Sequence, residues 1–223
     1  MNNVDGDNIS DGVYRVYFTG GNHQYNNSGG GSTSTARLVS LAFFVDGKSV
    51  SDFKGYCTNI RIEWVNNVQG YNTTKADGTG REILQERHIM ELGVGEIKER
   101  IVLTPLEDIK ISLWYGVQAF AQSVNSIEFI GSDNRQTTNS ANINSISKRC
   151  RRMQLNRDSI SVGIEIDESL DLGTRDKVTA NNNFGAFRSG SGDKYYCQII
   201  NASVEETYAA NANYYLNCKW FFD

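Results

Sequence analysis

ARLVSLAFFVDG, residues 36–47, is the stretch whose reading decides the fold. Side chains two apart in a strand point the same way, so Val39, Leu41, Phe43 and Val45 share one apolar face. Asp46-Gly47 then supplies a hairpin turn. A polar, Gly-rich chain needs at least one strongly apolar strand against which weaker strands condense, and the pattern predicts that this one is buried in the core.

Working outward, Cys57 to Asn66 alternates in the same way, with Ile60, Ile62 and Trp64 inward and Asn59, Arg61 and Glu63 outward. Glu82 to Leu92 and Glu96 to Leu103 make the next pair, joined near GVG. They set Ile97, Ile101 and Leu103 on one face and Lys98 and Arg100 on the other, and the only proline, Pro105, ends them. Ile109 to Phe120 and Ser126 to Ile130 continue the strands, and Cys150 to Leu155 with Ser159 to Ile166 reads as a hairpin. Tyr195 to Asn201 and Asn213 to Phe222 close the chain, rich enough in aromatic and apolar residues to pair into a sheet rather than fray.

Between these runs lie polar stretches that cannot form a core: GGNHQYNNSGGGSTST, NNVQGYNTTKADGTG, GSDNRQTTNSANINSIS and most of Asp167 to Ser191. The first is Gly-rich, yet a strand follows it where a phosphate loop would open a helix. Residues 1–12 read as a flexible tether and 13–223 as one domain. No amphipathic helix and no fixed repeat is evident. Strands at short intervals predict an all-β, antiparallel β-sandwich of jelly-roll or lectin-like type with long polar loops.

With 39% hydrophobic and 11% aromatic residues, the 223-residue chain can bury a core. A net charge of −4 argues against a nucleic-acid partner, and the absence of an apolar run of about eighteen residues argues against membrane insertion. Cys57, Cys150, Cys197 and Cys218 lack the CxxC and histidine spacing of a zinc site. Cys197 and Cys218 could be neighbours across a sheet, although buried free thiols are the plainer reading. The matches to the glycosylation pattern at Asn8, Asn26, Asn72 and Asn201 are what an Asn-, Ser- and Thr-rich chain produces by chance.

Three constellations could carry chemistry. Of the two histidines, His88 in QERH could serve with Arg87 and Tyr195 as the base, arginine and acid of a polysaccharide lyase; an outward-facing strand histidine is the plainer reading. On the lyase reading, His88→Ala abolishes turnover and leaves the fold intact. Asp167, Glu168 and Asp171, just after Glu165, could offer oxygens to a structural calcium or a carboxylate pair to a glycosidase, and a solvated turn serves as well. Lys148, Arg149, Arg151 and Arg152 form the only basic run, able to meet an anionic polymer or to sit as a solvated strand edge. No other cofactor is expected.

Sugar binding asks for less than catalysis: aromatic faces to stack on pyranose rings and polar side chains to share hydrogen bonds with hydroxyls. Tyr25, Tyr71, Asn72, Asp133, Asn134, Arg135, Phe184, Phe187 and Arg188 all fall in expected loops and could be presented together.

ARLVSLAFFVDGK, YNTTKADGTGREILQE, LEDIKISLWYG, DLGTRDK and GDKYYCQII, in that order, resemble the distal domain of tail-fibre and other receptor-binding proteins of phages and prophages from gut bacteria. The resemblance covers the chain from about Val13. It implies a β-sandwich head, commonly trimeric, that recognises a cell-surface glycan or protein receptor, is made in the host cytoplasm and ends in the virion. The short N-terminal tether departs from the long fibrous shaft such heads usually follow. The expectation is therefore a non-enzymatic recognition domain for a bacterial surface carbohydrate, with a lyase or glycosidase on the same sandwich, or a structural virion decoration, as alternatives.

Overall fold

The computed structural model describes residues 8–10, 18–19, 25–26, 36–69, 81–121, 124–131, 135–138, 151–167, 184–189, 192–200 and 206–223. These form seventeen strands: β1 (Asn8–Ser10), β2 (Phe18–Thr19), β3 (Tyr25–Asn26), β4 (Ala36–Val45), β5 (Lys48–Val50), β6 (Ile60–Gln69), β7 (Glu82–Leu92), β8 (Glu96–Pro105), β9 (Ile109–Ala121), β10 (Ser126–Ile130), β11 (Arg135–Thr138), β12 (Arg152–Arg157), β13 (Ile160–Ile166), β14 (Phe184–Ser189), β15 (Gly192–Ile200), β16 (Glu206–Tyr208) and β17 (Tyr214–Phe222). No helix occurs among the described residues.

A ten-stranded sheet runs in the order β11-β10-β12-β13-β17-β8-β7-β6-β4-β5, and a smaller one in the order β1-β9-β15-β14 with β16 also on β9. The pairings are antiparallel throughout, as expected of strands joined mostly by hairpins. β9 crosses β13 and β17, so the two sheets pack face to face as a sandwich. Between them lies the core: Ile109, Ile111 and Tyr208 from the smaller sheet meet Ile101, Leu103, Ile164, Ile166, Leu216 and Trp220 from the larger. Alternation sets this up, because β8 and β17 place every second residue inward and those residues are apolar with one exception, Glu99.

The stretch at residues 36–47 forms its strand and its turn. Asp46 and Gly47 have φ of 45° and 79°, the paired positive values of a type I′ hairpin. The Asp46 carboxylate accepts hydrogen bonds from the Thr58 hydroxyl and from the backbone N–H groups of Thr58 and Asn59, which hold its pKa below the usual carboxylate range. The expected burial does not follow. Val45 is 9% exposed, but Val39, Leu41 and Phe43 are 46%, 49% and 40% exposed. β4 stands one strand from the sheet edge, beyond the region that β9 crosses. Alternation reports which face is apolar, not how far the second layer reaches over it. The middle of the large sheet belongs instead to β17, which joins β13 on one side to β8 on the other.

Other expectations are corrected similarly. Arg135 is not in a loop but begins β11, which folds back on β10. Phe184, Phe187 and Arg188 lie on β14, paired with Cys197, Lys194 and Asp193 of β15. Asn8–Ser10, inside the expected tether, pairs with β9. Cys197 is in the smaller sheet and Cys218 in the larger, so they are not cross-strand neighbours, and neither Cys57 nor Cys218 is in a disulfide.

Gly163 on β13 pairs with Phe221 on β17, and the phenyl ring covers it: a Cβ there would stand 1.7 Å from Cζ of Phe221. The guanidinium of Arg152 also lies over this ring, 4.2 Å from its centroid. Glycine is required here for close approach.

Candidate functional site

β7 and β8 carry charge on both faces of the large sheet, and β17 on its outer face. On the inner face, His88 of β7 is 2% exposed. Its Nδ1 donates to Oε1 of Glu99 on β8 at 2.9 Å, and its Nε2 lies 3.7 Å from Oε2 of Glu86, both carboxylates being buried. The indole of Trp64 stacks on the imidazole with centroids 4.5 Å apart and planes 3° from parallel. Burial alone would lower the His88 pKa, but Glu86 and Glu99 together outweigh it and raise the value to about 9. At neutral pH the ring is an imidazolium with both nitrogens protonated, so it has no lone pair with which to take a proton.

This corrects both sequence readings of His88, as an outward-facing residue and as a lyase base. Arg87, its neighbour in the chain, points to the opposite face and pairs with Glu63 at 3.0 Å. Tyr195 belongs to β15 of the smaller sheet, opposite Ala119 and Ala186.

The outer face holds an open groove of about 530 Å³ across β7, β8, β17 and the ends of β12 and β13. Its floor follows from strand register. Arg100 on β8 stands beside Asn217 on β17; the Asn217 carbonyl accepts the N–H of Asp167 at 2.9 Å; the Ile166 N–H donates to the Arg151 carbonyl at 3.0 Å. Arg100, Asn217 and Asp167 therefore form one row across the sheet, and Arg151, opposite Ile166, stands one residue off that row at the far side of the groove. The next row runs Lys98, Lys219, Glu165 and Arg152. Ile89 and Glu91 complete the wall on β7.

The partners of these charges differ. Glu165 takes Arg152 at 2.6 Å and Lys219 at 3.7 Å, and Lys98 takes Glu96 at 2.7 Å. Three arginines of this face lie over aromatic rings: Arg61 over Phe44, Arg152 over Phe221 and Arg100 over Tyr215 at 4.9 Å. Arg61 and Arg152 also have a carboxylate, Glu63 at 3.2 Å and Glu165. Arg100 and Arg151 have none among the described residues. Amide, carboxylate, ammonium and guanidinium groups on an open floor can donate to and accept from hydroxyl groups together.

Of the residues singled out from sequence, Glu165, Asp167 and, from the basic run, Arg151 reach this groove, with Arg152 paired to Glu165 beside it. Tyr71, Asn72, Asp133, Asn134, Glu168, Asp171, Lys148 and Arg149 lie outside the described residues. Tyr25 lies on β3, Arg135 at one edge of the large sheet, and Phe187 and Arg188 on the edge strand of the small one, so these four do not share a sheet. Among the described residues no three His, Cys, Asp or Glu side chains are placed to hold a metal ion. Sequence reasoning missed Arg100, Asn217 and Lys219. Their outward alternation was legible, but nothing in it tells a solvated face from a groove.

No protein-family model matches this sequence, and no match is found among the curated proteins. Among solved structures, the galactosidase domain of the α-galactosidase–sucrose kinase AgaSK superposes with a TM-score of 0.54 at 10% identity, over 98% of this chain and 30% of that one. The α-galactosidase from Lactobacillus brevis gives 0.55 at 11% identity, over 98% and 29%. The GH36 α-galactosidase AgaA from Geobacillus stearothermophilus gives 0.54 at 8% identity, over 98% and 30%. At such identities the likeness establishes the sandwich fold. The chain spans under a third of the length of these proteins.

Proposed function

We propose that this chain is a carbohydrate-recognition module that holds a glycan in the outer-face groove. The observation that carries the reading is the groove itself. Its volume of about 530 Å³ falls in the range of small-ligand sites, roughly 300–1,000 Å³, and its floor mixes donors and acceptors suited to hydroxyls. Its walls stand on paired strands, which position side chains more firmly than loops do. The fold is shared with proteins named as α-galactosidases, one of them crystallised in complex with stachyose. Tyr71, Asn72, Asp133 and Asn134 remain candidates for further contacts from the segments between strands.

The setting we propose is attachment of a phage fibre to a bacterial surface, and its support is the sequence resemblance. Display in several copies, a trimer above all, lets weak individual sites add up to firm adhesion.

The test is to pass the purified chain over immobilised bacterial surface polysaccharides and score both retained protein and released sugar. Retention without release supports recognition. Release would replace it with a glycosidase or lyase reading, and neither signal across the panel would overturn it.

A further inference from the structure

We infer that the groove selects an acidic glycan, one carrying carboxylate groups on its pyranose rings. The inference rests on the recognition reading above and adds the class of ligand. It starts from the contrast among the ring-stacked arginines. Stacking on an aromatic ring restrains a guanidinium without using its N–H donors in the ring plane. Arg152 donates to Glu165, and Arg61 has the Glu63 carboxylate 3.2 Å from its Nε as an ion-pair neighbour. In Arg100 the ring of Tyr215 restrains the group, and no carboxylate among the described residues takes it.

Arg151 lines the other side of the groove, one residue off that row, and likewise lacks a carboxylate among the described residues. Three strand spacings separate the two, about 14 Å at ~4.8 Å each. Between them lie the Asn217 amide and the Asp167 carboxylate, able to share hydrogen bonds with hydroxyls.

Three of the four carboxylates that line the groove already face a cation of this chain, Glu99 being held by His88. Glu165 is already shared by Arg152 and Lys219, and Glu91 stands across from Lys98. A guanidinium fork matches a carboxylate in two parallel hydrogen bonds, a specificity that a neutral sugar cannot use. The overall charge of −4 works against indiscriminate capture of polyanions, so retention of an acidic polymer would report a local site.

The experiment measures binding of polygalacturonate and polysialic acid, each beside its carboxyl-reduced derivative, with dextran sulfate as a polyanion of different geometry. It uses the intact chain and the variants Arg100→Gln and Arg151→Gln. The expected result is at least ~10-fold tighter binding of one carboxylated polymer than of its reduced form, the size of effect that one well-placed charged hydrogen bond gives. Each variant should lose most of that difference while melting at the temperature of the parent. Equal binding of native and reduced polymers overturns the acidic selectivity and leaves recognition standing. Binding that survives both substitutions, or that is strongest for dextran sulfate, overturns the assignment to these arginines. Absence of binding to all five polymers overturns it too. The neutral members of the polysaccharide panel then decide separately whether recognition fails as well.

Discussion

The two faces of β7, β8 and β17 handle charge in opposite ways. Inside, His88 is enclosed by Glu86, Glu99 and the ring of Trp64, and the cluster is completed within the fold. Outside, one residue away along each strand, Arg100 rests on Tyr215 with no carboxylate among the described residues. Water cannot solvate the inner charges, so their partners must come from the chain itself. The outer charges face solvent, which tolerates an open valence until a ligand arrives. Buried charge here reads as architecture, exposed charge as an offer.

The largest effect should come from breaking the inner side. His88→Ala leaves Glu86 and Glu99 as two buried carboxylates without the cation between them, at a cost of about 3–5 kcal/mol. Urea denaturation checks this, and a variant as stable as the parent would remove the cluster from the account of stability. The outcome differs from the sequence expectation that this substitution spares the fold.

Titration perturbs the same cluster reversibly. With a folded pKa of about 9 against an ordinary 6.5, His88 contributes stability that is fully present below pH 6.5 and is lost as pH rises towards 9. The loss is on the order of 3 kcal/mol, because each pH unit between the unfolded and folded pKa is worth ~1.4 kcal/mol. Unfolding midpoints at pH 6 and pH 9.5 should differ accordingly, and the difference should shrink in the His88→Ala protein.

A smaller effect is expected where the outer face meets packing. Gly163→Ala drives a methyl group into the Phe221 ring and so displaces the support of Arg152. Overpacking of this kind costs about 1–3 kcal/mol. A thermal melt reads it, and an unshifted midpoint would mean that the ring moves aside freely. Least disturbing to the fold is Arg100→Gln, which should leave the melt unchanged and alter only glycan binding. A destabilised Arg100→Gln protein would erase the contrast between the faces.

The strands were legible because alternation is local. EIKERIVL sets Ile97, Ile101 and Leu103 on the expected inner face, with Glu99 interrupting them, and YYLNCKWFF pairs into the sheet as expected. Depth was not legible. Residues 36–45 carry as strong a pattern as either, yet lie where the second sheet does not reach, since coverage depends on how distant strands cross. The polar segments around Arg135 and Phe187 read as loops because their sequences lack an apolar face, while edge strands can be held by backbone pairing alone. The site was legible only in fragments. Glu165, Asp167 and Arg151 stood out as charge runs, but their convergence with Arg100 and Asn217 is made by the pairing of β8, β17 and β13, segments far apart in the sequence.

That pairing also sets an order of events during synthesis. β4 to β8 can zip as successive hairpins while the chain is still growing, and so can β10 to β13. The two halves have no joint until Tyr214–Phe222 emerges and slots between β8 and β13. Until then each exposes an open strand edge, and the groove, whose two guanidinium groups lie on opposite halves, does not exist. The groove is thus complete only after β17 has been made.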